Sequence, residues 1–352
     1  VDPATIRDVA ALAGVSAATA SRVLSGNPAT SPAARARVEH AARELDFRPN
    51  AQARALRRTR SDSIGLLVSD VRNPFFADLA HTVEQAALEA GYVTLLGNAN
   101  ESEQQQDRYL DTLISRRVDG VIVAPQGDGS SSIATLVARG IPTVFVDRTV
   151  PGVDVPSVTT DSDAGLREAV AHLAGHGHRR VGYIAGPPTA STGRERLAAH
   201  TRALAEHGLD ADPALVVSGD FQAASGSAAV RSLLELAHPP TAILAADSLM
   251  AVGAVRQLQE RGIRIGVDVA VVAFDDIEWF SLMNPPLTGI AHSVEAMGRA
   301  AVRLLLAVMA GERPDPVRLP SSLVPRASSD FAVPARPVVA VPPPSTPREQ
   351  PS

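Results

Sequence analysis

The stretch TIRDVAALAGVSAATASRVL, running from Thr5 to Leu24, decides how the amino-terminal end of this chain folds. Thr5 followed by Asp8 is a capping-box-like pair, with Asp in place of the usual Glu or Gln. It predicts a short helix whose apolar residues Ile6, Val9, Ala10 and Ala13 lie on one face. Gly14 ends that helix, because glycine tolerates the left-handed backbone of a tight turn. Val15 plugs the angle between two helices, and Ser16 caps a second helix running to about Leu24. The spacing is that of a helix-turn-helix. Ser31-Pro32 supplies a cap and a first-turn proline for a third helix, with Ala34, Val38, Ala41, Ala42 and Leu45 inward and Arg35, Arg37 and Arg43 mostly outward.

Beyond this head lies a much larger body. The chain has 352 residues, 45% apolar, 20% charged and 3% aromatic, which excludes a disordered or collagen-like protein and suffices for several domains. Cysteine is absent, which removes disulfides, thiolate metal sites and cysteine nucleophiles. No stretch approaches the roughly 18 apolar residues that span a bilayer, and the charged-then-apolar layout of a secretory signal is missing. The expectation is a soluble, cytoplasmic protein with no membrane partner. Up to Arg60, ten Arg oppose five carboxylates, a surplus of +5, whereas the whole chain carries −5, so the remainder must carry −10. A basic head on an acidic body suggests that the head meets a polyanion, the alternative being a solvated charge run.

From Ile64 onward, short apolar runs alternate with amphipathic stretches: 64–68, 93–96, 121–123, 143–146, 181–184, 242–245 and 269–274. This strand-helix alternation predicts parallel sheets with helices on both faces, and the number of units argues for two lobes. Ligands in such architectures bind at the carboxyl ends of strands, so the cleft between lobes is the default site.

The string from Thr5 to Leu24 closely resembles the DNA-binding head of the lactose-repressor (LacI/GalR) family of bacterial transcription regulators. The resemblance implies that the second helix lies in the major groove of double-stranded DNA, with Ala17 and Ala18 against base edges and Arg22 in a forked contact to guanine. Ser16, Thr19 and Ser21 would hold phosphates, and Thr5 is counted among the DNA-binding positions. Ala17 and Ala18 offer only methyl contacts, and Ala20 replaces a bulkier Val common in the family, which obscures the operator sequence. Pro49-Asn50-Ala51-Gln52-Ala53-Arg54-Ala55-Leu56 matches the family's hinge helix. So short a segment alone cannot hold a helix in water, and it would therefore order when two copies pair on DNA. Asn50 and Ala53 would then lie at the minor groove, with Leu56 wedged between base pairs.

The resemblance extends over roughly residues 4 to 328, through Asn73-Pro74-Phe75-Phe76, Arg117-Val118-Asp119-Gly120, Gly177-His178-Arg179-Arg180, Gly219-Asp220-Phe221 and Phe274-Asp275-Asp276. It implies a two-lobed core like a periplasmic sugar-binding protein, with lobes joined by three crossovers. Asn73-Pro74 forms a helix start facing the cleft, with Phe75 and Phe76 as stacking surfaces for a ring, unless both belong to the core. Arg196 matches the Arg that forks onto ligand oxygens in relatives, whereas Arg194 is expected to face solvent. Asp275 matches the carboxylate that closes around a sugar hydroxyl or ring nitrogen, and Asp147, Phe221, Asp247 and His292 occupy other pocket positions. Asp247-Ser248 stands where many relatives have Asn-Asp, His292 where Gln is usual, and Ala190 where the purine-binding member has Arg.

Catalysis finds little footing. Asp275-Asp276 are adjacent carboxylates that point apart rather than flanking one bond, and no nucleophile elbow, Walker loop or Gly-x-Gly-x-x-Gly is present. His172 and His176 share a helix face without a third ligand, so no metal and no cofactor are expected. The expected organisation is a helix-turn-helix head (1–48), a hinge and linker (49–63), a core (64–330) and a Pro-rich disordered tail (331–352). Within the core, the amino-terminal lobe comprises about 64–160 plus 292–318, and the carboxy-terminal lobe about 161–291 plus 319–330. No leucine heptad appears, which favours a homodimer over a tetramer. The expected function is a repressor with a near-palindromic operator, controlled by a small-molecule effector such as a sugar. The rival readings are a solute-binding protein or a sugar-acting enzyme on the same core.

Overall fold

A computed structural model describes residues 4–24, 29–47 and 61–333, and the chain divides between Ser61 and Asp62 into two compact units. The hinge residues Asn50, Ala53 and Leu56, and most of the Pro-rich tail, lie outside the described residues.

The first unit contains three helices, α1 (Ile6–Leu12), α2 (Ala17–Leu24) and α3 (Pro32–Glu44). The capping box at Thr5 forms in both directions. Thr5 Oγ1 accepts from Asp8 N at 3.4 Å, and the Thr5 amide donates to Asp8 Oδ2 at 2.7 Å. Ser16 Oγ caps α2 by accepting from Thr19 N at 3.1 Å. Gly14 adopts φ +62, the left-handed backbone its place in the turn demands. The core is made of small side chains, with Val9, Ala20, Val38 and Ala41 almost wholly buried and Val15, Leu24, Leu45 and Phe47 packed around them. Ala20 is thus a packing residue, and its small size is felt inside the head rather than at the helix surface.

In the second unit, eleven strands run in one continuous order: β2 (Val93–Asn98), β1 (Ser63–Val68), β3 (Gly120–Val123), β4 (Thr143–Val146), β5 (Ser157–Asp161), β11 (Val317–Val324), β10 (Thr288–His292), β9 (Ala270–Phe274), β8 (Ala242–Ala245), β6 (Val181–Ala185) and β7 (Val216–Ser218). All pairings but one are parallel, and β3, β4, β6, β8 and β9 are buried throughout. That is why they read as unbroken apolar runs rather than alternating ones. Two apolar clusters cover the faces of the β1–β5 half, and a third fills the β6–β10 half.

β5, β7, β10 and β11 are absent from the strands expected above. Their sequences are short or polar, and Pro320 interrupts β11, so no apolar run marks them. β11 explains how two lobes share one sheet. Its first half pairs in parallel with β5, Val317 opposite Val158, and its second half pairs antiparallel with β10, Ser322 opposite Ala291. The other two passages between lobes lie where β5 gives way to α7 (Ser162–Gly175) and where β10 gives way to α12 (Val294–Met309). The carboxy-terminal lobe also holds residues 331–333, which were expected to be tail. Phe331 packs edge-on against His178, and Val333 N donates to His176 O at 3.1 Å.

Candidate functional site

Three residues in the cleft have left-handed backbones although none is glycine. Asp147 follows β4 with φ 63, Asp275 follows β9 with φ 68, and Phe221 comes three residues after β7 with φ 64. Such conformations cost on the order of 1–3 kcal/mol each and concentrate where a side chain must be aimed. Here they turn two carboxylates and a ring into the space between lobes. From the amino-terminal lobe, which also carries Asp147, α4 (Pro74–Glu89) starts at the Asn73 cap and presents Phe75 and Phe76, whose rings meet edge to face at 4.7 Å. Both rings line the cleft and both are core, so the two readings offered for them coincide.

Asn73, Phe75, Phe76, Asp147, Arg148 and Asp275 line a small chamber together with Thr192, Arg196, Phe221 and Asp247. Its volume is about 10 Å³, room for one water. The lobes are latched over it. Asn73 Nδ2 donates to Asp247 Oδ2 at 3.0 Å, Ser248 Oγ donates to Asn73 Oδ1 at 3.0 Å, and Thr149 N donates to Ser191 Oγ at 2.9 Å. Arg72 Nη2 reaches Gln222 Oε1 at 2.9 Å. Arg194 faces solvent as expected and from there also bridges to Asp128 at 2.6 Å, because α8 (Ser191–Glu206) starts at the cleft and points its first turn across it. Outside the latch opens a vestibule of about 740 Å³.

Arg196 lies with its guanidinium 3.7 Å from the centre of the Phe274 ring, donates to the Ala246 carbonyl at 2.7 Å, and stands 3.8 Å from Asp147 Oδ1. His292 is not in the chamber wall. It sits behind, with Nε2 3.1 Å from Asp275 Oδ1 and Nδ1 3.3 Å from Thr160 Oγ1, so it orients Asp275. Asp276 points the other way, onto Arg326. Burial pushes Asp247 up to about 8, with the Asp275 charge adding to it. Burial raises Asp147 as well, against the pull of Arg196 and Arg148. For Asp275, burial is the largest single influence and acts upward, but the His292 hydrogen bond and Arg196 together hold the carboxyl below its ordinary value. Asp147 Oδ1, Arg148 Nε and Arg196 Nε are buried with no hydrogen-bond partner.

Arg148 is the residue that sequence reasoning missed. It forks onto Glu101 at 2.7 and 2.9 Å, donates to Gln126 Oε1 at 2.9 Å, and lies over the Phe221 ring at 4.8 Å. Its only sequence mark is adjacency to Asp147. His172 and His176, the helix pair weighed as metal ligands, turn to Ser329 and Asp330.

In the first unit, Thr5, Ser16, Ala17, Ala18 and Arg22 are exposed, Thr19 and Ser21 half-buried. Ser16 and Thr19 hydroxyls are 2.9 Å apart, and Arg22 Nε reaches the Ala18 carbonyl at 3.4 Å. Among the described residues no helix is long and apolar enough to cross a membrane.

A helix-turn-helix head attached to a two-lobed, ligand-type core defines a DNA-binding regulator. Residues 5–50 match the family described as bacterial regulatory proteins, lacI family, and residues 170–329 match a periplasmic binding protein-like domain. The chain is 34% identical to the HTH-type transcriptional repressor CytR of Escherichia coli (strain K12) over 309 residues, covering 88% of this chain and 91% of that protein. A lac repressor dimer bound to operator and the anti-inducer ONPF superposes with a TM-score of 0.82 at 31% identity, covering 93% of this chain and 99% of that one. A transcriptional regulator CelR–cellobiose complex gives 0.70 at 36% identity, covering 92% and 99%. The chain belongs to the lacI family of bacterial regulatory proteins; it is a transcriptional regulator and not an enzyme.

Proposed function

We propose that this chain is a homodimeric repressor whose affinity for a near-palindromic operator is set by a small, polyol-like effector held between its lobes. The observation that carries this reading is the chamber, where the rings of Phe75, Phe76 and Phe221 adjoin Asp147 Oδ1, Arg148 Nε and Arg196 Nε, buried polar atoms that make no hydrogen bond although the two arginines lie within ion-pair distance of Asp147. Ring faces beside unsatisfied donors and acceptors are what a hydroxylated ring requires. The anti-inducer in the lac repressor and cellobiose in CelR support the same reading.

Arg196 and Asp275 take ligand hydroxyls, His292 orients Asp275, and Asp247 faces the ligand from the tip of α10 (Ser248–Glu260). At about 10 Å³ the chamber admits a ligand only when the latch between Asn73 and Asp247 opens. The ligand therefore biases the lobe angle, which is a two-state element. A coupling of about 1–3 kcal/mol changes operator affinity some 5- to 150-fold. In the head, Ala17 and Ala18 meet base edges, Arg22 forks onto guanine, and Ser16, Thr19 and Ser21 meet phosphates, with Thr5 holding the first helix in place. Asn50, Ala53 and Leu56 contact the minor groove from the hinge. A second copy pairs through the edge of the amino-terminal lobe, where Leu88, Val93 and Leu96 are exposed.

The test is operator binding titrated with sugars and related metabolites. Arg196→Ala and Asp275→Ala should still bind operator and lose the effector response. A response that survives both substitutions rejects the site.

A further inference from the structure

The chamber and its approach both carry more negative than positive groups. Glu101, Asp147, Asp247 and Asp275 face Arg148 and Arg196, so even a charged His292 leaves one carboxylate unmatched. Arg148 forks onto Glu101 and brings its Nε within 3.5 Å of Asp147 Oδ2, so one guanidinium serves two carboxylates. Arg196 gives one donor to a backbone carbonyl and only approaches Asp147. Independently, Asp147 is 5% exposed, lines the chamber, and leaves Oδ1 with no hydrogen-bond partner. The vestibule continues the same sign. Asp128 there is matched by Arg194, whereas Glu103 and Asp220 have no ion-pair partner among the described residues. Buried, unmatched carboxylates are unfavourable unless they take up protons or acquire a cation.

Resting on the effector-site reading above, we infer that the ligand is an amine-bearing polyol of the aminosugar class, whose ammonium lies against Asp147 and Asp247. An ammonium has three donors and no acceptor, which suits two carboxylates that can only accept. The acidic vestibule attracts the cation toward the chamber. With the lobes latched through Asn73, Asp247 holds a proton instead, since burial beside Asp275 pushes it up to about 8. The incoming ammonium replaces that proton, which passes to solvent, and charge balances on both sides of the exchange.

Calorimetry on the full chain with glucosamine, galactosamine and mannosamine, each against its parent hexose, tests this in buffers of different ionisation heat at pH 7. We expect at least one hexosamine to bind on the order of tenfold tighter than its hexose, with close to one proton released. Asp247→Asn should bring that ratio toward one and abolish the release. A hexose that binds as tightly as its hexosamine, or no binding by any of the six at millimolar concentration, overturns the proposal. Tight hexosamine binding without proton release overturns the placement at Asp247. Hexose binding that Asp275→Ala abolishes keeps the effector site and discards the amine. Hexosamine binding that Asp275→Ala leaves untouched discards the site itself.

Discussion

Arg22 stands exposed on the same face of α2 as Ala18, the only long polar side chain among the α2 residues proposed to face DNA. A forked donor discriminates guanine from other bases, whereas a point contact to phosphate does not. Arg22→Ala should therefore reduce the preference for operator over random duplex by about 1–3 kcal/mol, read from competition binding at fixed salt. Equal weakening on both duplexes would make Arg22 a phosphate contact. Single residues also show where sequence reading stops. Phe75, Phe76, Asp147, Arg196, Phe221, Asp247 and Asp275 were named from the sequence and converge on one chamber. Arg148 was not, because its partners Glu101 and Gln126 lie 47 and 22 residues away and nothing local records the pairing. His292 was named as a pocket residue but acts from behind Asp275, a distinction that only the folded crossover creates.

Among the elements, α9 (Ala223–Leu234) and α10 touch through their backbones. A Cβ added at Gly253 would stand 1.8 Å from the Ala223 carbonyl oxygen, and one at Gly226 would stand 2.1 Å from that of Met250. Backbone cannot step aside as a flexible side chain can, so Gly253→Ala should cost roughly 1–3 kcal/mol or more, seen as a lowered denaturation midpoint. Because Asp247 caps α10, that shift should also weaken the latch to Asn73, seen as a smaller ligand-induced rise in melting temperature. An unchanged midpoint would refute the close approach. Elements with local signals were the legible ones. The caps at Thr5, Ser16, Ser31 and Asn73 are formed as their spacing predicted. β5, β7, β10 and β11 owe their existence to neighbours already in place, and Ser-Val-Thr-Thr-Asp carries no apolar run to announce β5.

At the scale of the molecule, buried histidines work against stability in acid, while buried Asp247, pushed up to about 8, works the other way. Burial lowers His200 to about 4; it stacks on Tyr183 at 4.1 Å, and neither ring nitrogen has a hydrogen-bond partner. Burial likewise lowers His178 to about 4. An unfolded imidazole titrates near 6.5, so between about pH 6.5 and 4 the unfolded chain binds more protons than the folded one. Stability from these rings is complete above pH 6.5 and is lost as pH falls through that window. For His200 the loss is roughly 2–4 kcal/mol. His200→Phe keeps a ring against Tyr183 and removes the titration, so on going from pH 7 to 4.5 the urea midpoint should fall less, or rise more, in the variant than in the parent chain. An equal difference would mean that His200 does not contribute.

β11 has a further consequence, for the order in which the chain is made. The amino-terminal lobe starts at Ser63 but obtains α12 and its last parallel strand only from residues 294–320. The carboxy-terminal lobe also waits, since Ser322 pairs with β10 and Ser328 ties Val271 to Thr288. During synthesis the amino-terminal half cannot finish before the ribosome has passed Pro320, nor the carboxy-terminal half before it has passed Ser328. A nascent chain therefore displays its cleft-lining carboxylates before any closed cleft exists to hold a metabolite.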